Sequence, residues 1–499
     1  MSDQTTTLPI PPEVFWAIAG IGGLALLTLV IFGAMIPTGS GHVAPLERLK
    51  DRLGLASLNS GLFLIALAFW GALFLTLTVG LIWLIWDLIW MGIPEDTAKV
   101  WGFSIARIAG LTATLGAVVA LPFTLIKVRM TGEQTRTAQE GLFNEKIKAA
   151  SDDLHAMRQR WDGEAKQNIW EADIVRRNAA IHRLEGLVRE RPEEAPRVSR
   201  LLSIYVREMS REVPAEEMPK AKPSTEKMKL WAESLTVKRS DMENAVRALG
   251  RLREINGVEQ KSVVIDLRRA NLQGFDFRLL NFNGADLSEA HLQGANLIMA
   301  QFQKADFYEA KMQGANLFLA HLQEANLTQA HLQEAFLNRA KLKKAEFRGT
   351  QLQGANLSEA HLHDAELNGM RLERAVLFKT QLQGGVLSGA MLQGAILMNA
   401  QLQGACLKGA EFNGATNLAN TNFRGAAVTS IDFTNTPQIT PHISEIFGDA
   451  SVILPGGVTP DHPNWPLHFS KERLNDSAFH TAWRAFQASI GFDLDDPST

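Results

Sequence analysis

The chain has 499 residues and a single cysteine, Cys406, which excludes an internal disulfide framework and any metal site built from several cysteines. Lysine and arginine total 50 against 53 aspartate and glutamate, and no stretch is basic or acidic enough to mark a nucleic-acid domain. The charge is unevenly spread: residues 1–126 carry 5 basic and 7 acidic side chains, 127–263 carry 27 and 23, 264–435 carry 15 of each, and 436–499 carry 3 and 8.

The poorly charged first quarter holds three apolar stretches, 14–36, 61–86 and 104–126, the last interrupted only by Arg107. A helix needs about 20 residues to cross the hydrocarbon of a bilayer, so each can span it, and 1–126 is predicted to be a membrane domain with three transmembrane helices. The first stretch lacks the basic leader of a signal peptide and is too long for one. Arg48, Lys50 and Arg52 sit in the loop after the first span, and Lys127, Arg129 and Arg136 follow the third. The positive-inside rule then puts the N-terminus outside and everything past 127 in the cytoplasm, with Trp83, Trp86, Trp90 and Trp101 as an aromatic belt at the outer interface. Asp87 and Arg107 fall near that interface on adjacent predicted helices. They read as a membrane ion pair with snorkelling side chains, the alternative being an ion or proton site in a small sensing or transport accessory.

Residues 127–260 read as a helical neck. Phe143, Ile147, Ala150, Leu154, Met157 and Trp161 recur at spacings of 4, 3, 4, 3 and 4, a heptad seam that packs within the chain or between two chains. Two shorter helices, near 171–190 and 194–211, are broken at Pro192, and Ile181, Leu184 and Val188 can face Val198, Leu202 and Tyr205 in a helical hairpin. The proline-rich 213–224 reads as a linker. Asp241, with Ser240 as a rival, is expected to cap a helix carrying Val246, Leu249 and Leu252.

From 267 to 412 every fifth residue is Leu, Phe or Met, thirty positions in unbroken register; after one extra residue the register resumes at Leu418, Phe423, Val428 and Phe433. Alanine precedes most of these positions by two. Ala, Leu, Gln and Glu favour helix, but five residues turn a helix by about 500°, so the leucines would scatter over every face. Strand alternation fails too, since five is odd. A short extended piece ending in a corner satisfies the period, with Leu and Ala inward and three side chains outward. Four such units make a twenty-residue coil, and 264–435 becomes a solenoid of about 40 Å at about 4.8 Å per layer.

This register resembles the pentapeptide-repeat family, and the resemblance implies a right-handed quadrilateral β-helix. The flanks RRNAAIHRLEGLVRERPEEAPRVSRLLSIYVRE (176–208), SDMENAVRALGRL (240–252) and FGDASVILPGGVTPDHPNW (447–465) resemble a membrane-anchored bacterial subset, which implies this architecture and a bacterial origin; with the loop charges, the expectation is a multi-pass protein of the bacterial inner membrane with a cytoplasmic repeat domain and a periplasmic N-terminus. The expected architecture is multi-domain: transmembrane α-helices, an α-helical neck, the β-solenoid, and a small capping tail at 436–499.

Stacking by twenty predicts glutamine ladders, Gln293, Gln313, Gln333 and Gln353 then Glu373 on one face, and Gln303, Gln323, Lys343, His363 and Gln383 opposite. A third face stacks Asp266, Asp286, Asp306, Asn326, Glu346 and Glu366. Such a row could mimic a nucleic-acid duplex, as the resemblance implies for gyrase-binding quinolone-resistance members, but this solenoid carries no net charge. The outward position before the inward leucine becomes apolar at Val376, Val386, Met391, Ile396 and Cys406, and Met398 also points out. A patch of this kind is covered in a folded chain or by a partner. The tail is its expected cover, through Ile443, Ile446, Phe447, Val452, Ile453, Trp465 and Trp483, and a partner protein is the alternative.

Phosphate-binding loops, zinc-helix motifs and nucleophile elbows are all missing from the sequence. His291 with His331, and His321 with His361, lie two coils apart, too far to share a metal; His361 and His363 flank one leucine without a third ligand. Cys406 has no histidine in its own unit. The expectation is a non-enzymatic membrane scaffold with an unidentified protein partner, no catalytic residue, no metal, no cofactor, no small-molecule substrate and no nucleic acid; a topoisomerase regulator of the duplex-mimic type is the alternative.

Overall fold

A computed structural model of the chain describes residues 45–53, 55, 58–90, 98–162, 164, 166–218 and 225–493. The predicted 14–36 span and the second half of the 213–224 linker lie outside the described residues. The chain divides into two compact units, Met1–Glu145 and Lys146–Thr499.

In the first unit, helix α1 (Pro45–Leu53) carries the basic residues of the first loop. Helix α2 (Ser60–Trp90) stays uncharged until Asp87, and α3 (Ala98–Asp153) starts apolar and becomes charged after Ile126. Each contains a segment long and apolar enough to cross a membrane, Gly61–Ile89 and Ile105–Asp153, and almost none of either apolar window is buried. Helices that are apolar all round yet exposed are unlike the helices of a water-soluble core. Hydroxyls of Thr76, Thr78, Thr112, Thr114 and Thr124 donate back to carbonyls four residues earlier. Trp70 Nε1 donates to Val118 O at 3.0 Å.

The heptad seam stops early. Phe143, Ile147, Ala150 and Leu154 are buried, but helix α3 ends at Asp153, and Met157 and Trp161 lie exposed on a β-hairpin. Strand β1 (Met157–Asp162) pairs antiparallel with β2 (Gln167–Ala172), Met157 opposite Ala172 and Asp162 opposite Gln167. The Asp162-Gly163 dipeptide is a hairpin signal, and it overrides the seam.

Helices α4 (Ile174–Glu190) and α5 (Ala195–Glu212) follow, joined by a 3-10 turn at Pro192–Glu194, and bury Ile181, Leu184, Val188, Val198, Leu202 and Tyr205. Asp173 caps α4 by accepting from Arg176 N. Helix α6 (Thr225–Ser234) comes next, then α7 (Ser240–Leu252). Asp241 does not cap α7: Arg239 is its N-cap, and Asp241 is buried in the first turn. Its carboxylate accepts from Tyr205 Oη at 2.6 Å and from Arg239 at 2.5 and 2.9 Å, with Arg177 at 3.8 Å. Burial acts to raise the Asp241 pKa, but the bonds from Arg239 and Tyr205 outweigh it and hold the group below the usual carboxylate range.

Beyond α7 the backbone coils as a β-helix. Parallel bridges join each residue to the one twenty further on, Asp266 to Asp286 to Asp306 and Asn271 to His291 to Lys311, up to Met391 with Glu411. Each unit closes with a turn such as Ala270 N to Leu267 O at 3.1 Å, and every fifth residue from Arg269 to Gly409 has positive φ, the type II signature. The inward Leu and Phe side chains and the alanines two before them are buried throughout. Where threonine replaces that alanine, at Thr350 and Thr380, its hydroxyl donates to the Leu327 and Leu357 carbonyls. The extra residue is absorbed in a turn at Asn413–Thr416, and the bridges that span it, from Ile396 with Asn417 to Cys406 with Ala427, step by twenty-one.

The four sides of the first coil have amides with no coil beneath them, and α5 and α7 satisfy all four. Asp266 N donates to Ser203 Oγ, Asn271 N to Ser210 Oγ, Asp276 N to Glu243 Oε1, and Asn281 N to the Gly250 carbonyl. A β-carbon on Gly250 would lie 2.8 Å from Leu280 and Phe282, so the close approach of α7 needs glycine there. These helices are a lid on the solenoid, which answers the hazard of an open strand edge.

At the other end the stack runs past residue 435. Strand β3 (Ala426–Val428) pairs in parallel with β4 (Ile446–Gly448), and Asp432 bridges Ile453. Helix α8 (Asp476–Ser489) then lies against the last coils, with Trp483 Nε1 and Gln487 Nε2 both donating to the Gly425 carbonyl at 2.7 and 2.8 Å.

Candidate interaction surface

The twenty-residue step sorts outward side chains onto four faces. One face runs Asp276, Asn296, Asn316, Phe336, Asn356, Val376, Ile396 and Asn417. Two residues further along the same units stand Ile298, Phe318, Phe378 and Met398. Their corner residues in the first three coils are Leu279, Met299 and Leu319, with φ of 64°, 55° and 57°. Leu279 is 65% exposed and Met299 43%. A left-handed conformation costs a residue with a β-carbon about 1–2 kcal/mol, and the other corners from 269 to 409 carry glycine, asparagine, glutamine or charged groups. Leu319 is half-buried, but Leu279 and Met299, each large, apolar, in that conformation and exposed to water, gain little for the fold itself.

Helix α6 borders the same face. It lies in a notch formed by the stacked glycines Gly274, Gly294 and Gly314: a β-carbon at Gly294 would overlap the Ala232 carbonyl, and one at Gly314 would sit 2.5 Å from the Ala232 β-carbon. Lys229 of α6 stands 5.2 Å over the Phe336 ring.

The six residues predicted to form one apolar patch do not come together. Val376 and Ile396 share the face above with Met398, whereas Val386 bridges Cys406 on another face and Met391 lies on a third. Residues ten apart stand on opposite sides of a four-unit coil. The tail covers Cys406, which packs on the cluster of Ala427, Phe447, Trp483 and Phe486; Val386 and Ile396 both stay 37% exposed. Of the predicted tail contacts, Ile446, Phe447 and Val452 are buried within the extended stack, and Ile453 is exposed.

The acidic row is neutralised locally. Arg207 reaches Asp266 at 2.9 Å, Arg268 reaches Asp266 at 2.9 Å and Asp286 at 3.4 Å, and Asn326 Nδ2 donates to Asp306. The bond from Arg268 is the main reason Asp266 titrates below its ordinary range. The glutamine ladder is vertical at Gln273–Gln293, 3.2 Å; the next bonds run diagonally, Gln333 to Gln351 and Gln393 to Glu411. Asp87 lies on α2 and Arg107 on α3.

Histidines line one face on either side of Lys311, with His291 below and His331 above. Burial, then the neighbouring Lys311 charge, pushes His291 down to about 4, and the same two causes lower His331. The unfolded histidine titrates near 6.5. Below that pH the unfolded chain binds a proton that the folded chain refuses, so stability falls as pH drops from 6.5 toward 4. His291→Gln is expected to shrink, without abolishing, the fall in melting temperature over that window, since His331 still titrates low, while the further loss below about 4, where paired carboxylates protonate, stays as in the parent. Among the described residues, no group of three or more His, Cys, Asp or Glu is placed to hold a metal.

Residues 265–435 match a family model described as pentapeptide repeats, in overlapping segments from 265–297 to 395–435. Among solved structures, HetL, a pentapeptide repeat protein involved in heterocyst differentiation regulation in the cyanobacterium Nostoc, is 29% identical over 40% of this chain and 85% of its own, with a TM-score of 0.19. QnrB1, a plasmid-mediated fluoroquinolone resistance protein, is 16% identical over 44% of this chain and 97% of its own, with a TM-score of 0.27. Rfr23 from the cyanobacterium Cyanothece is 38% identical over 19% of this chain and 63% of its own, with a TM-score of 0.15. A search of curated proteins finds no match.

Proposed function

From the premise that residues 265–435 make this chain a pentapeptide-repeat protein, we propose that it is a non-catalytic scaffold, anchored in a membrane by its apolar N-terminal helices, that docks a partner protein on one face of its β-helix. The carrying observation is the row Leu279, Met299 and Leu319, apolar and turned outward at left-handed corners. Ile298, Phe318 and Phe336 extend the row into a surface of interface-like composition. The uncharged, exposed α2 and the start of α3 support the anchor. The loop charges support a repeat domain on the cytoplasmic side and an N-terminus on the opposite side, a bacterial inner membrane is part of the proposal, and the coil is read as right-handed and four-sided. Three spans are part of the proposal, as is an Asp87–Arg107 pair whose role is confined to the anchor. Duplex mimicry is not favoured, because arginines and an asparagine already engage the acidic row.

The test exploits asparagine, which tolerates the left-handed region. The triple variant Leu279→Asn, Met299→Asn, Leu319→Asn should melt at or above the parent temperature. In crosslinking and mass spectrometry on native membranes it should lose the proteins that the parent captures through 276–399. Unchanged capture by a folded variant would remove this face from the function.

A further inference from the structure

Helix α1 is folded onto the first turn of α2. Leu53 and Leu55 pack on the buried Phe63, Leu55 N donates to Lys50 O at 2.9 Å, and Asn59 Oδ1 accepts from Gly61 N. Lys50 is buried on the same side of α1 and takes Glu47 at 3.6 Å. On the opposite side Arg48 and Arg52 stand exposed, one turn apart, and neither forms an ion pair among the described residues. Like charges four residues apart oppose a helix, so this pair calls for an anion from outside α1.

A third cation reaches the same depth. Trp70 Nε1 donates to Val118 O, which makes α2 and α3 level at that point. Twenty residues after Trp70 stands Trp90, the end of α2, and twenty before Val118 stands Ala98, the start of α3, so the two run antiparallel. Nine residues the other way from the contact stand Gly61 and Lys127, each about 14 Å along its helix. Gly61 opens the apolar segment of α2, and Lys127 is the first charge after the uncharged 108–126 of α3. Lys127 is exposed and unpaired, whereas Glu133 and Glu140 already hold Arg129 and Arg136.

We propose that this end of the apolar helices binds anionic phospholipid, with α1 lying along the interface and Arg48, Arg52 and Lys127 on lipid phosphates. The inference rests on the membrane anchor of the proposed function. Three unpaired cations, against Asp51 alone, gather where the apolar length of both helices ends and headgroups begin. An anionic leaflet attracts basic residues at that depth, and guanidinium forks match phosphate oxygens. Leu49, on the flank of α1, and Leu58, just before α2, are 38% and 37% exposed and suit an interfacial segment.

The test presents the full chain, purified in detergent, with equal amounts of phosphatidylglycerol and phosphatidylcholine, and counts retained lipids by native mass spectrometry. Each basic residue at an anionic surface is worth about a fivefold preference. The parent should therefore favour phosphatidylglycerol by more than about tenfold. The triple variant Arg48→Gln, Arg52→Gln, Lys127→Gln should bring the ratio near one. A control triple in the Lys146–Thr499 unit, Lys261→Gln, Lys344→Gln, Arg374→Gln, should keep the parent ratio. Insertion into pure phosphatidylcholine vesicles, scored by resistance to alkaline carbonate, reports separately on the anchor, and all three chains should insert. An inserting parent that retains both lipids equally, or an equal loss in the control triple, would overturn the lipid site and leave the anchor standing. A polypeptide retained in place of lipid, and released by the same three substitutions, would also overturn it. A parent that fails to insert would end the anchor and the lipid site together.

Discussion

Replacing Asp241 with alanine is expected to lower the stability of the Lys146–Thr499 unit by about 3–5 kcal/mol, the usual consequence of removing one partner from a buried ion pair. Arg177 is buried and Arg239 nearly so, and both point their guanidinium groups at this carboxylate. Without it, two cations and the Tyr205 hydroxyl lose their acceptor in a space too closed for water to replace it. The damage should spread to the solenoid in a defined order, because α5 and α7 hold the four amides of the first coil. Hydrogen exchange should show Asp266, Asn271, Asp276 and Asn281 losing protection first, with amides near residue 340 following only at higher denaturant. Asp241→Asn, which retains an acceptor, should lose less. Uniform loss along the whole stack would mean that the lid does not govern the first coil.

The second large effect is expected inside the stack. Phe302 is fully buried and its ring lies 5.1 Å from Phe307, 5.7 Å from Phe282 and 6.2 Å from Phe277. Truncation to alanine leaves a cavity that a hydrogen-bonded backbone coil cannot close, and about 3–5 kcal/mol should be lost. Phe302→Leu should cost less than half as much, since leucine fills the corresponding position in most other units. Denaturant midpoints of the two variants decide this: equal midpoints would mean that the coils around 302 relax freely.

The inward register from Leu267 to Phe412 could be read from the chain because each side chain in it answers to one local rule, a five-residue advance to the same interior. The helical pair around Pro192 was visible for a similar reason, since Ile181, Leu184 and Val188 repeat on one helix face. What escaped depends on a second period. Val376 and Val386 look adjacent in a list of outward positions, yet a coil of four units sends them to opposite sides. The same arithmetic, done by twenties, would have collected Leu279, Met299 and Leu319. Asp241 sits where a cap is expected, and only the arrival of Arg177 and Tyr205 from distant helices makes it a buried acceptor. Met157 and Trp161 kept a heptad spacing by coincidence, and the strand pairing that displaces them is a long-range contact invisible to local periodicity.

Both ends of the prism are keyed to particular corners. Ala232 occupies the glycine notch at Gly294 and Gly314, and Phe492 occupies another at Gly404 and Gly425, where β-carbons would come within about 3 Å of its ring. Growth of the protein is therefore quantised. An insertion of twenty residues between the two notches adds one storey and keeps the two notches in their present angular relation; five residues would turn Gly404, Gly425 and Phe492 together a quarter revolution relative to the Ala232 notch. Lengthening by whole storeys is the cheap evolutionary route to a taller solenoid, and single-residue slips survive only where a turn, like that at Asn413–Thr416, can swallow them.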